Sequence, residues 1–176
     1  LAIGTYVVIF ERKPIEPENN TQEKILTFDD TKVKSIELTS GDKQLILKKE
    51  GKLWKMENPP QIPLDQEKVE SNLSRLKDWT SLSVVEANLP PTEMKNFGLQ
   101  KPLLRIKVNL SEGPAKEVIL GQPTPTGSGN YVMLLGSPKL FVTSAFIYDE
   151  LHKMIVDPPK PTPTPKPIPS PIASKK

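Results

Sequence analysis

Apolar and polar positions alternate in short runs between residues 33 and 143, and turn-forming residues interrupt them. A β-strand sends successive side chains to opposite faces, so this period predicts strands with one face turned inward. Residues 33–38 (VKSIEL) offer Val33, Ile36 and Leu38 as inward positions. Residues 44–49 (QLILKK) and 53–57 (LWKME) follow the turn signals Ser40-Gly41-Asp42 and Glu50-Gly51-Lys52, which predicts a three-stranded antiparallel meander. Asn58-Pro59-Pro60 ends it. The period then changes. Val69, Leu73 and Leu76 lie at i, i+4 and i+7, one face of an amphipathic helix. Asp65 is placed to cap it, because its carboxylate can accept the free N–H groups of the first turn.

Residues 82–87 read as a further strand, and residues 93–97 as a one- to two-turn helix introduced by Pro90-Pro91. Gly98 stops that helix at the left-handed position a C-cap needs. Runs 104–110, 117–120, 130–135 and 140–143 form a second meander. Thr143 or Ser144 then caps a last helix, with Ile147, Leu151, Met154 and Ile155 on one face. The expected fold class is α+β: antiparallel meanders with helices packed on one sheet face. A strand-strand-strand-helix order recurs at about 33–78 and 103–155, which suggests an internal duplication.

Both ends depart from this pattern. Residues 1–10 (LAIGTYVVIF) are apolar and stop at Glu11-Arg12-Lys13-Pro14. Ten helical residues span about half of a bilayer core. They read as the C-terminal part of a transmembrane anchor, with Tyr6 and Phe10 near the interface; a buried strand is the other reading. Residues 11–32 read as a linker, 33–156 as the α+β domain and 157–176 (DPPKPTPTPKPIPSPIASKK) as a disordered tail with eight prolines. Proline fixes φ and removes backbone donors, which leaves polyproline II as the ordered alternative, roughly 60 Å if fully extended. The tail reads as a solvated spacer, as a contact to peptidoglycan or anionic lipid through Lys160 and Lys166, or as a groove ligand built on Pro158-x-x-Pro161.

Charge changes the picture in one respect. The net charge is +3, and the tail alone carries four lysines against Asp157, so residues 1–156 sum to zero. No basic folded module is implied, and a nucleic-acid partner is not expected. Absence of cysteine excludes disulfides, thiolate metal sites and a cysteine nucleophile. His152 is the single histidine and reads as an exposed helix residue. The neighbouring acids Asp29-Asp30 and Asp149-Glu150 read as solvated, since paired catalytic carboxylates must converge from separate elements. Gly127-Ser128-Gly129 precedes a strand instead of a helix N-terminus, so it reads as a β–β loop and not as a phosphate cradle. No cofactor, metal or enzymatic activity is expected. Trp54, Trp79 and Tyr131 are candidate interaction residues. Exposed, they would suit a glycan- or lipid-binding face; core packing is the alternative.

Several segments together resemble a known family. They are Gly51-Lys52-Leu53-Trp54, the helix carrying Asp65, Val69-Glu70-Ser71-Asn72-Leu73 and Leu76, Asn96-Phe97-Gly98-Leu99-x-x-Pro102, Ile119-Leu120-Gly121, and Asn130-Tyr131-Val132. Over residues 33–156 the chain resembles an uncharacterised domain-of-unknown-function family of bacterial and cyanobacterial single-pass membrane proteins. Some members are associated with components of gliding-type ABC transporters. The chain differs in having one such unit and a proline tail. The resemblance implies an N-terminal anchor, an extracytoplasmic domain (periplasmic or thylakoid lumenal) and no catalytic residues. In the motif turn, Gly98 accepts positive φ, Phe97 and Leu99 bury on either side, and Pro102 prevents the helix from resuming. The expectation is a membrane-tethered, non-enzymatic interaction or scaffold module of the bacterial envelope, partnered by another membrane or envelope protein. An accessory subunit of a transporter complex is an alternative.

Overall fold

Two antiparallel meanders share one eight-stranded sheet. The computed structural model describes residues 22–58 and 60–161. The first meander is β2 (Val33–Ser40), β3 (Lys43–Glu50) and β4 (Leu53–Met56), followed by α1 (Gln66–Lys77). The second is β7 (Leu104–Leu110), β8 (Lys116–Pro123), β9 (Gly129–Leu134) and β10 (Leu140–Ser144), followed by α2 (Ala145–Val156). Between them run β5 (Asp78–Thr80), β6 (Ser83–Glu86) and a 3-10 helix, Pro91–Phe97. The sheet order is β4-β3-β2-β7-β8-β9-β10-β6. The two units are unequal, because a fourth strand, β10, stands between β9 and α2, so the expected three-strand repeat is not reproduced in the second half.

Alternation decides which residues enter the core. Ile36 and Leu38 on β2, Leu45 and Leu47 on β3, and Leu104, Ile106 and Val108 on β7 all point to one face. Val69, Leu73 and Leu76 of α1 and Leu151, Met154 and Ile155 of α2 cover that face. Each fully buried Leu or Ile contributes roughly 1.5–3 kcal/mol. Asp65 caps α1 as expected, accepting from the Lys68 N–H at 3.2 Å. Ser144 caps α2, accepting from the Phe146 N–H at 3.3 Å.

The folded region begins earlier than expected. Within the stretch read as linker, β1 (Lys24–Thr27) pairs with β5, and Ile25, Leu26 and Phe28 join the main core. A four-residue strand paired with a three-residue strand more than 50 residues away leaves too short a pattern for periodicity to register. Trp79, just past α1, lies on β5. At the other end Pro158 and Pro159 are half-buried, and the Pro159 carbonyl accepts from the Asp65 N–H at 2.8 Å. The first tail residues are thus docked at the start of α1. The anchor expected at 1–10, the linker through residue 21 and the tail beyond Pro161 lie outside the described residues. Among the described residues, no helix is long and apolar enough to cross a membrane.

Side-chain amides extend the sheet at its β4 edge. The Gln66 Oε1 accepts from the Trp54 N–H at 2.7 Å, and its Nε2 donates to the Trp54 carbonyl at 3.0 Å. Asn58 does the same for β3, accepting from the Ile46 N–H and donating to the Gln44 carbonyl, both at 2.7 Å. Each amide stands in for one residue of a missing neighbour strand, which blunts an edge that would otherwise invite pairing. Gln66→Ala is expected to lower stability by about 1–3 kcal/mol, because it strands two partly buried backbone groups. Urea unfolding of the variant against the parent chain measures this.

Candidate functional site

The motif segments around Phe97-Gly98-Leu99, Ile119-Leu120-Gly121 and Asn130-Tyr131 meet on the sheet face opposite α1 and α2. Gly98 caps the 3-10 helix with φ of 71°, and the Leu99 N–H donates to the Met94 carbonyl at 3.0 Å. This turn lies directly on β8. A Cβ at Gly121 would come within 2.0 Å of the Phe97 carbonyl oxygen, so only glycine allows the approach. The Gln122 Nε2 donates to the Asn96 carbonyl at 2.6 Å. The Asn130 Nδ2 donates to the Gly121 carbonyl at 3.3 Å. The Phe97 ring meets Tyr131 edge-on, with centroids 4.9 Å apart. Leu99 packs with Leu89, Ile119, Met133 and Leu140 in a second core. Beyond Pro102, the Leu103 N–H donates to the Leu120 carbonyl at 2.8 Å as the chain enters β7.

A family model described as a domain of unknown function, DUF4340, matches residues 54–156, a span that holds this whole cluster. The chain belongs to the DUF4340 family. No curated protein and no solved structure matches it.

In this DUF4340 domain the three candidate aromatics do not share a groove. Trp54 is 4% exposed and Trp79 3%, both in the main core under the helices. The Trp54 Nε1 donates to Glu70 at 2.7 Å, and the Lys49 ammonium lies 5.4 Å from its ring centroid. The Trp79 Nε1 donates to the Thr143 hydroxyl at 2.9 Å. Tyr131 is half-buried on the other face. The exposed aromatic platform considered for glycan or lipid binding is therefore not formed by these residues: large rings with one polar handle are buried where that handle finds a partner. Asp65 caps α1 and Gly98 caps the 3-10 helix; Leu99 is buried, and Phe97 is half-buried in the same cluster. His152 is half-buried, not exposed. Its Nδ1 lies 3.1 Å from the Ser40 hydroxyl, and its ring stacks on Tyr148. Residues 124–128 form the turn of a β-hairpin, closed by the Thr124 N–H donating to the Gly129 carbonyl at 2.8 Å.

The concave surfaces lie on the helical side. A groove of about 690 Å³ runs between α1 and α2 and is closed at one end by the docked start of the tail. Lys68, Arg75, Lys153 and Lys160 line it together with Glu67, Glu150 and Asp157, and Ser71 and Asn72 stand between them. Of the tail residues singled out in the sequence, Pro158 and Lys160 border this groove, with Lys160 3.4 Å from Asp157. Pro161 is exposed beyond it, and Lys166 lies outside the described residues. Arg75 also places its guanidinium 4.9 Å from the ring centroid of Phe146, which is 50% exposed. A second cleft of about 940 Å³ separates the β3–β4 hairpin from α1 and is bordered by Lys49, Lys52, Trp54, Gln66 and Glu70. Sequence reasoning missed Arg75 with Phe146 and the Gln66 clamp. Arg75 and Phe146 are 71 positions apart on different helices, and no local pattern couples them.

The groups with shifted pKa have structural partners. The Thr31 hydroxyl and N–H hold the Asp29 carboxylate below its ordinary range. Lys77, 2.9 Å away, lowers Asp30 and is itself raised. The Lys68 N–H lowers Asp65, and Lys55 lowers Glu50. Among the described residues, no group of three or more His, Cys, Asp or Glu is placed to hold a metal ion.

Two measurements test this section. Gly121→Ala is expected to cost about 1–3 kcal/mol through forced backbone movement, read by chemical denaturation. A carboxylate held below its unfolded pKa stabilises the fold above that pKa and loses the contribution as pH falls. Stability is therefore expected to decline below about pH 4, and less steeply in Asp30→Asn. Thermal melts across an acid series check the slope.

Proposed function

We propose that this DUF4340 domain is a non-enzymatic interaction module of the bacterial envelope, held at a membrane by residues 1–10. The observation that carries the interaction reading is the interhelical groove. It is open and lined by both charge signs, which suits a segment of a partner protein better than a uniformly charged polymer. Arg75 stacked on a half-exposed Phe146 supplies the arginine and aromatic pair over-represented at the energetic centres of protein interfaces. Four of the five shifted titratable groups are carboxylates serving caps or surface ion pairs, which supports a structural use of the acids.

The tether rests on the apolar run 1–10 and its charged stop at Glu11-Arg12-Lys13. The domain then lies outside the cytoplasm, and the partner is another membrane or envelope protein. A transporter component is the instance suggested by the family resemblance. The native protein is expected to fractionate with membranes, and a chain lacking residues 1–13 to be released. Recovery of the native protein in the soluble fraction after gentle lysis would overturn the tether. A photo-crosslinking residue at Asn72 is expected to give one discrete adduct in native membranes, lost in Arg75→Glu. A smear of adducts that is indifferent to Arg75 would remove the groove from the interface.

A further inference from the structure

The β3–β4 hairpin concentrates positive charge. Residues 43–55 hold five lysines against the single acid Glu50. The rest of the described chain holds 14 Lys and Arg against 17 Asp and Glu, so the charge is local and not a property of the whole domain. Lys49 is committed inward, donating to the Asp30 carbonyl at 3.1 Å and lying over Trp54. Lys55 pairs with Glu50 at 2.5 Å. Lys43, Lys48 and Lys52 are exposed and make no ion pair among the described residues.

An apolar residue stands among these cations. Leu53, just after the Gly51 turn, is 54% exposed. Trp54 and Met56 point into the core, so Leu53 and Lys55 share the outer face of β4. Lys48 sits opposite Lys55 across the strand pair, on that same face. A single exposed leucine is ordinary. At the tip of this edge hairpin Leu53 faces Glu50, whose charge Lys55 offsets, and the unpaired Lys48 and Lys52 stand beside them, an arrangement that suits an anionic lipid surface. The ammoniums meet phosphates at headgroup level while the leucine enters the acyl boundary.

We propose that the β3–β4 hairpin is a membrane contact for anionic phospholipid headgroups, made by Lys48 and Lys52 around an inserting Leu53. It rests on the tethered reading for its setting, since the tether would hold the hairpin near the surface. It is a separate contact and involves none of the residues of the interhelical groove.

The chain has no cysteine, so Leu53→Cys accepts a single environment-sensitive fluorophore on the full chain. Asp149→Cys, exposed on α2, is the control site. Both are mixed with vesicles of phosphatidylcholine alone and of equal phosphatidylcholine and phosphatidylglycerol, and co-sedimentation is measured in parallel. The expected result is a blue shift at position 53 on the anionic vesicles only, reversed by high salt, with position 149 silent. In the label-bearing chain, Lys48→Gln and Lys52→Gln together should raise the lipid needed for half the shift on the order of 30-fold. Sedimentation with both vesicle types and no shift at position 53 overturns the hairpin contact and leaves the tether standing. A salt-reversible shift without sedimentation on neutral vesicles supports the hairpin and counts against the tether. An equal shift on neutral vesicles overturns the assignment to anionic headgroups.

Discussion

The antiparallel pairing of β2 with β7 joins the two halves of this protein, and every larger feature follows from it. Ile36 lies opposite Val108 and Leu38 opposite Ile106, on the face that α1 and α2 cover. A three-stranded meander with one helix leaves most of its apolar face wet. Joining two along their first strands makes one continuous face wide enough for both helices to share. The pairing closes about 70 residues of chain, so its entropic cost is met only when the helices arrive and bury Leu73, Leu76, Leu151 and Ile155 against it. The whole helical side, grooves included, depends on that closure.

The same sheet uses its other face unequally. Over β8, β9 and β10 the 3-10 helix and the Phe97-Gly98-Leu99 turn build a second core, and Gly121 permits backbone to touch backbone there. Over β4, β3, β2 and β7 the face stays polar. Glu37 accepts from Asn109 and pairs with Lys107, and Arg105 pairs with Glu117 across neighbouring strands. The Phe97-Gly98-Leu99, Gly121 and Asn130-Tyr131 segments mark the covered half, where backbone closely approaches backbone. The hairpin at the β4 edge is free of that close approach, and it is there that charge has accumulated beside an exposed Leu53.

Much of the fold was legible from local pattern. The meander strands, α1 with its Asp65 cap and α2 with its apolar stripe emerged from periods of two and 3.6, because each is long enough for its burial rhythm to show. What escaped was short or paired at a distance. Ile25, Leu26 and Phe28 sit in a polar stretch and are core residues only because β5 lies beside them. Gln66 and Asn58 look like surface amides and serve as strand substitutes. Of the candidate site, the tail residues near α1 were flagged for composition. The docking of Pro159 against the Asp65 N–H depends on where α2 ends in space.

The sequence by itself determined the α+β class, the inward positions of the strands, the zero net charge of residues 1–156 against the basic tail, and the Gly98 turn. These are properties of single residues or of neighbours along the chain: backbone preference, side-chain polarity and charge. Tertiary structure alone decided that Trp54 and Trp79 are buried around the acceptors Glu70 and Thr143, and that Phe97 meets Tyr131. It also decided that Arg75, which lines the interhelical groove, meets the ring of Phe146. Contacts between distant segments depend on which elements pack together, and an aromatic ring reads the same along the chain whether its face ends in water or in the core.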